Sequence, residues 1–189
     1  GMANKGRLIA CDVSQGRLDR AARRLKRAGA HNVTRRVVAG AYDKWVKRHK
    51  KSADRVLVDA PCSGSGTWRR NPDSRWRLSA DDLAELTARQ AELLASTARL
   101  VKPGGRLVYA TCSLLPEENA DQIARFLAEH PDFAPLPVAR VWDSTVGGAC
   151  PADGAHLRLT PARHGTDGFF VAILERAETP AAGDGAGAA

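Results

Sequence analysis

Apolar and polar positions follow two rhythms along this chain. Residues 7–11 end in a short apolar run, Leu8-Ile9-Ala10-Cys11, which stops at Asp12. Beyond it Leu18, Ala21, Ala22, Leu25 and Ala28 recur at three- and four-residue intervals, predicting a helix over 14–28 with Gly29 closing it. Arg17, Arg20, Arg24 and Arg27 line another face of that helix. A strand is expected over 33–38 and a short basic helix or loop over 45–51. Arg55-Val56-Leu57-Val58, ending at Asp59, reads as a parallel strand buried on both faces.

A polar, Gly- and Arg-rich stretch over 61–78 precedes a long helix opened by Ser79, with Asp82 placed as its capping carboxylate. Leu83, Leu86, Leu93, Leu94, Thr97, Leu100 and Val101 form its apolar stripe, and Pro103-Gly104-Gly105 is expected to turn the chain. A strand over 106–110, the segment Thr111-Cys112-Ser113 and a helix over about 116–129 follow. Strands over 155–160 and 168–175 suggest an antiparallel hairpin at one edge. From Ala177 onward the sequence is Ala/Gly/Pro-rich and expected to be disordered, leaving 1–176 as the domain. Strands alternating with helices imply parallel βαβ units, hence an open, mostly parallel α/β sheet. Ligands in such sheets sit beyond the carboxyl ends of the strands, which selects Asp12, the segment Asp59-Ala60-Pro61-Cys62, and Thr111-Cys112.

Composition narrows the partner. The 189 residues are 43% hydrophobic and 26% charged, which excludes a wholly disordered or collagen-like chain. No apolar run approaches the ~18 to 20 residues of a membrane span, and the first six residues lack a secretory apolar core, so a cytoplasmic protein is expected. The formal charge of +8 is unevenly spread: residues 1–51 hold 15 Lys and Arg against 3 Asp and Glu, and the remainder is net acidic. A basic head of this kind points either to a polyanion such as nucleic acid or to a well-solvated pair of surface helices. Cysteines at 11, 62, 112 and 150 show neither zinc-ligand spacing nor a disulfide framework, so no metal is expected.

Asp12 stands where nucleotide binders place a carboxylate against ribose hydroxyls; capping the next helix is the plainer alternative. Cys62 and Cys112, each at the end of a predicted strand, suit attack on an electron-poor ring carbon, one thiolate adding while the other group helps it leave. Cys11 and Cys150 read as packing or loop residues. Arg69, Arg70, Arg75 and Arg77 cluster after the Pro-Cys segment and suit contact with RNA phosphates, whereas Trp76 is open between stacking near a base and packing on the sheet. Phe169 and Phe170 read as core.

Taken in order, Asp59-Ala-Pro-Cys62-Ser-Gly, Arg69-Arg70-Asn71-Pro72-Asp73 with Trp76, Lys102-Pro-Gly-Gly through Thr111-Cys112-Ser-Leu, Pro116-Glu-Glu-Asn119 and Asp167-Gly-Phe-Phe170 closely resemble the RNA (cytosine-5)-methyltransferase family of the Sun/RsmB type. The resemblance spans about residues 5–176. It implies a Rossmann-like methyltransferase fold, S-adenosylmethionine as cofactor, and cytosine in RNA, ribosomal or alternatively transfer RNA, as substrate. By the same resemblance Cys112 of the Thr-Cys-Ser segment adds to carbon 6 of cytosine, Cys62 assists release, and Asp59 contacts the cytosine edge. Asp12 holds the cofactor ribose, with Asp59, Ala60 and Pro61 completing the cofactor contacts. DNA cytosine methyltransferases attack with their Pro-Cys thiol, so sequence leaves the choice between the two thiols open.

The chain departs from the family at its start. The Gly-rich strand, loop and helix that precede the ribose acid do not fit in the eleven residues before Asp12, and Val38-Ala39-Gly40-Ala41 offers no carboxylate after the next strand. The expectation is a partial methyltransferase domain lacking its first strand and cofactor loop, with exposed strand edges that pair with another copy. A non-catalytic RNA-binding or assembly module on the same fold is the competing class. A nucleotide-hydrolysing or NAD-dependent enzyme is disfavoured by the absence of a Gly-Lys-Ser/Thr loop.

Overall fold

The computed structural model describes residues 2–152 and 154–178; the expected disordered tail lies, beyond Glu178, outside them. The chain divides after Arg48 into two units.

In the first unit, β1 (Leu8–Asp12), α1 (Gln15–Arg27) and β2 (Val33–Val37) form one parallel βαβ turn, followed by α2 (Lys44–Arg48). β1 and β2 run in register from Leu8 opposite Val33 to Asp12 opposite Val37. The Ser14 hydroxyl caps α1 by accepting from the Arg17 N–H, and Gly29 ends it at φ +65°, in the left-handed region that lets the chain reverse without a Cβ clash. Leu18 is the buried centre of the helix's apolar face, while Arg20, Arg23, Arg24 and Arg27 are exposed.

The second unit contains β3 (Ala53–Asp59), α3 (Asp73–Arg77), α4 (Ala80–Ala98), β4 (Val101–Thr111), α5 (Ala120–Glu129), β5 (Phe133–Pro135), α6 (Ala139–Thr145), β6 (Leu157–Leu159), α7 (Pro161–His164) and β7 (Phe169–Arg176). The sheet order is β3-β4-β7-β5, with β6 also on β7. β3 and β4 are parallel; β7 is antiparallel to β4, β5 and β6. Tyr109, Leu107, Leu94, Ile123, Phe170 and Leu174 make up much of its core. Phe170 is buried as expected, but its neighbour Phe169 is 41% exposed.

Three local expectations change. The β6–β7 pairing is present, but β7 lies inside the sheet, because its other edge bonds β4 from Arg106↔Glu175 to Thr111↔Phe170. Pro103-Gly104-Gly105 does not interrupt the strand. β4 begins at Val101 and absorbs these residues as an irregularity between the pairs Ala53↔Val101 and Arg55↔Arg106, with Gly104 at φ +70°. β3 is parallel but not covered on both faces: its hydrogen-bonded neighbour is β4 alone, and Leu57 is 69% exposed. Among the described residues no strand bonds to both β1 and β3.

The Ser79 capping box is formed. Its hydroxyl accepts from the Asp82 N–H, and the Asp82 carboxylate accepts from the Ser79 hydroxyl and the Ser79 N–H, which together hold the Asp82 carboxyl below its usual range. The helix expected over 116–129 divides into a 3₁₀ turn, Pro116–Glu118, and α5. Its break at Asn119 has a cause in the site.

Candidate active site

Parallel pairing of β3 with β4 puts Asp59 opposite Ala110, so the chain leaves both strands at the same end of the sheet. The Pro-Cys segment follows one strand and Thr-Cys-Ser the other. Their thiols meet with Cys62 Sγ 3.5 Å from Cys112 Sγ. Both are partly buried, and neither is in a disulfide.

The two thiols share one hydrogen bond, so their ionisations are opposed. A hydrogen bond from Cys62 is the main cause holding Cys112 down to about 7, against its own desolvation and the nearby carboxylates of Asp59 and Glu118. The same contact, followed by burial, pushes the Cys62 thiol upward. The first proton therefore leaves the pair from Cys112, and Cys62 stays the donor.

Beneath the thiols is a buried polar scaffold absent from the sequence reading. One oxygen of the fully buried Glu118 carboxylate accepts from the Ser63 N–H (2.8 Å) and Gln90 Nε2 (3.0 Å), and the other accepts from Ser63 Oγ (2.5 Å). Gln90 Nε2 also donates to the Pro61 carbonyl at 2.8 Å. Cys62 is thus flanked by two residues tied to α4 and to the 3₁₀ turn. On the other strand, Asn119 accepts from Thr111 Oγ1 (2.6 Å) and donates to the Ser113 carbonyl (2.9 Å), bracketing Cys112. That role takes Asn119 out of the helix and divides the two helical pieces. Ser65 Oγ lies 3.0 Å from Ser113 Oγ and accepts from the Leu114 N–H, tying the two loops together. One signal was available: Gln90 is a polar residue on the apolar stripe between Leu86 and Leu93.

Backbone contacts complete the clamp. Gly66 N–H donates to the Cys112 carbonyl at 2.9 Å, and Gly168 N–H donates to the Gly66 carbonyl at 2.8 Å. A Cβ on Gly66 would overlap the Gly168 backbone, and one on Gly168 would come within 2.6 Å of Leu114 Cδ2. Gly66 and Gly168 therefore serve close approach of two backbone segments, while Gly64 is needed for its left-handed backbone at φ +68°.

The remaining candidates divide. Asp59 is exposed beside the thiols. Ala60 is buried with its N–H donated to Ala110, and the Pro61 carbonyl is taken by Gln90, so Asp59 offers this segment's accessible polar side chain. Asp12, in the first unit, accepts from the Ser14 N–H at 2.8 Å with Oδ1, while Oδ2 lies 3.7 Å from Arg17. Both contacts are local, to the segment that opens α1. Asp43, a carboxylate two residues past Ala41, accepts from the Ala39 and Trp45 N–H groups. Arg69 and Arg70 are paired with Asp167, Arg70 donating from Nε at 2.7 Å, which holds the Asp167 carboxyl below its usual range. Arg75 and Arg77 lie exposed on α3.

An α/β sheet with two reactive thiols at adjacent strand ends defines a methyltransferase core of the paired-cysteine kind. More narrowly, the chain belongs to the family described as 16S rRNA methyltransferase RsmB/F, whose model matches residues 1–175. It is 40% identical over 177 residues to the probable ribosomal RNA small subunit methyltransferase B of Synechocystis sp., covering 93% of this chain and 39% of that protein. It is also 40% identical over 173 residues to ribosomal RNA small subunit methyltransferase B of Klebsiella pneumoniae, covering 92% and 37%. Among solved structures, the crystal structure of PH0851 superposes with a TM-score of 0.81 at 42% identity, over 93% of this chain and 38% of that one. NSun6 from Pyrococcus horikoshii, solved with SFG, gives 0.76 at 25% identity, over 93% and 43%. The chain thus spans less than two fifths of the curated relatives named here.

Proposed function

We propose that this chain is the thiol-bearing part of an S-adenosylmethionine-dependent enzyme that methylates carbon 5 of cytosine in ribosomal RNA. The observation that carries the reading is the 3.5 Å contact between Cys62 and Cys112, with Cys112 as the more acidic thiol. S-adenosylmethionine, when bound, supplies the methyl group. Asp12 is assigned to its ribose, and Asp59, Ala60 and Pro61 to the remaining cofactor contacts, with Ala60 and Pro61 contributing surface rather than hydrogen bonds.

Cys112, as thiolate, bonds to carbon 6 of the cytosine, and the electrons of the 5,6 double bond make carbon 5 nucleophilic. Asp59 meets the ring nitrogen and exocyclic amine, and in its protonated form donates to the ring nitrogen, where negative charge builds up during addition. After carbon 5 is methylated, Cys62 gives its own proton to solvent, now that Cys112 is bonded to carbon 6, and as thiolate takes the proton from carbon 5. The electrons left behind re-form the double bond and expel Cys112 as thiolate. Arg69, Arg70, Arg75 and Arg77 belong to the RNA-facing surface, and the setting is the cytoplasm.

The unpaired edges of β1 and β3, together with the relatives' greater length, support a partial domain that self-associates through a strand edge. Tight one-to-one S-adenosylmethionine binding by a monomeric chain, measured by calorimetry with sedimentation, would count against that. The catalytic reading is tested by mixing the full-length protein with ribosomal RNA containing 5-fluorocytosine. A covalent adduct lost in Cys112→Ala is expected. No adduct at any cysteine would favour the RNA-binding module, and an adduct on Cys62 would reverse the roles.

A further inference from the structure

Trp76 is 80% exposed, the largest exposure recorded for a large hydrophobic residue among those described. It lies in α3, a five-residue helix with no buried residue, so the helix does not exist to bury its aromatic. This removes packing on the sheet as the reason for a tryptophan here. The Arg75 guanidinium lies over the Trp76 ring, 5.4 Å from its centroid, and Arg77, which follows Trp76 in the sequence, is exposed. A cation–π contact at an exposed site contributes little to the fold, and with 80% of the residue in water the ring remains available to a ligand.

The nearby arginines divide by contact. Arg69 and Arg70 both hold Asp167, the residue before Gly168, whose N–H meets Gly66. They anchor the segment after the Pro-Cys loop to the entrance of β7, and the two guanidiniums share that one carboxylate. Arg75 and Arg77 have no such role in the fold, and they flank Trp76 in the sequence.

We propose that Trp76 is a stacking platform for an unpaired base of the RNA substrate, flanked by phosphate contacts from Arg75 and Arg77. This rests on the RNA reading given above. A flat aromatic face with a cation on either side of it in the sequence matches the alternation of base and phosphate along a single strand, and stacking of this kind tolerates any base. A duplex, whose bases are stacked on one another, offers the ring nothing, so the platform prefers single strands.

The test is fluorescence anisotropy of a labelled single-stranded cytidine-containing oligoribonucleotide titrated with the chain and its variants over a range of salt, beside a duplex of the same sequence. Trp76→Ala is expected to weaken single-strand binding by about 5- to 100-fold, with Trp76→Phe retaining most of the affinity. Its salt dependence stays that of the wild type. Arg75→Ala and Arg77→Ala instead each reduce the slope of log affinity against log salt by about 0.7. Unchanged affinity in Trp76→Ala, equal losses on single strand and duplex, or a lower melting temperature without loss of affinity would each overturn the platform. If the wild-type chain shows no salt-dependent RNA binding, the RNA reading falls and the platform with it; if binding is normal and Trp76 is silent, only the platform falls.

Discussion

Replacing Cys62 by alanine tests the electrostatics of the thiol pair directly. The Cys62 hydrogen bond is the leading cause that brings Cys112 down to about 7. Without it, the Cys112 backbone N–H still favours the thiolate, but burial and the Asp59 and Glu118 carboxylates oppose ionisation, and the Cys112 midpoint should climb towards the ordinary thiol range of about 8.5 to 9. At pH 7 a thiol with a midpoint near 7 is about half thiolate, and one near 9 is about 1% thiolate, a roughly 50-fold loss of the reactive form. A more basic thiolate is a better nucleophile, and a Brønsted slope of about 0.4 to 0.5 returns about 6- to 10-fold. The net slowing at pH 7 is therefore about 5- to 8-fold. The assay is iodoacetamide alkylation between pH 5 and 10 in a Cys11→Ser, Cys150→Ser background, with peptide mass spectrometry reporting which thiol reacts. The alkylation midpoint of Cys112 should rise by about one to two pH units, with faster reaction than the parent at high pH. An unmoved midpoint would refute the hydrogen-bond account. So would alkylation of Cys62 ahead of Cys112 in the parent at neutral pH.

Other perturbations follow from the same contacts. Asp59→Asn removes a charge that opposes Cys112 ionisation, so the alkylation midpoint should fall and reaction at pH 6 quicken, even as 5-fluorocytosine trapping is lost; a rise would contradict the sign. Glu118→Ala takes the acceptor from the Ser63 N–H and from one of the two Gln90 Nε2 hydrogens, the other still held by the Pro61 carbonyl, at about 1 to 3 kcal/mol each in urea melts. Glu118→Gln keeps one acceptor oxygen and should recover more than half of that loss. Gly66→Ala drives a Cβ into the Gly168 backbone and should cost about 3 kcal/mol or more, while Gly154→Ala, with nothing within 4 Å, should leave the melting temperature within a degree or two.

Sequence periodicity was sufficient for the elements whose causes are local. The α1 stripe centred on Leu18, the Ser79–Asp82 capping box and the apolar run into Asp59 each depend on neighbours within a few residues, and each is present. The candidate thiols were legible for a related reason: both end strands, and parallel strands in α/β sheets deliver their carboxyl ends to one side. Reading stopped where a residue's role is set by something distant in the chain. Pro103-Gly104-Gly105 looks like a turn in isolation, and only pairing of β3 with β4 carries the strand through it. β7 resembles an edge hairpin until β4 claims its other side. Gln90 and Glu118 look like ordinary helix and turn residues, yet the Pro-Cys loop they hold is 29 and 55 residues away in hydrogen-bond partner, and burial makes those bonds obligatory.

What the sequence determined by itself is the family, the pair of thiols and the strand ends that carry them, because those are written in contiguous motifs. Which thiol ionises, why the glycines between them cannot be replaced, and why Trp76 faces water while Arg69 and Arg70 turn to Asp167 were decided by tertiary structure alone. Each depends on a distance of a few ångströms between residues separated by tens of positions, and ionisation, overlap and solvation all change steeply over that range.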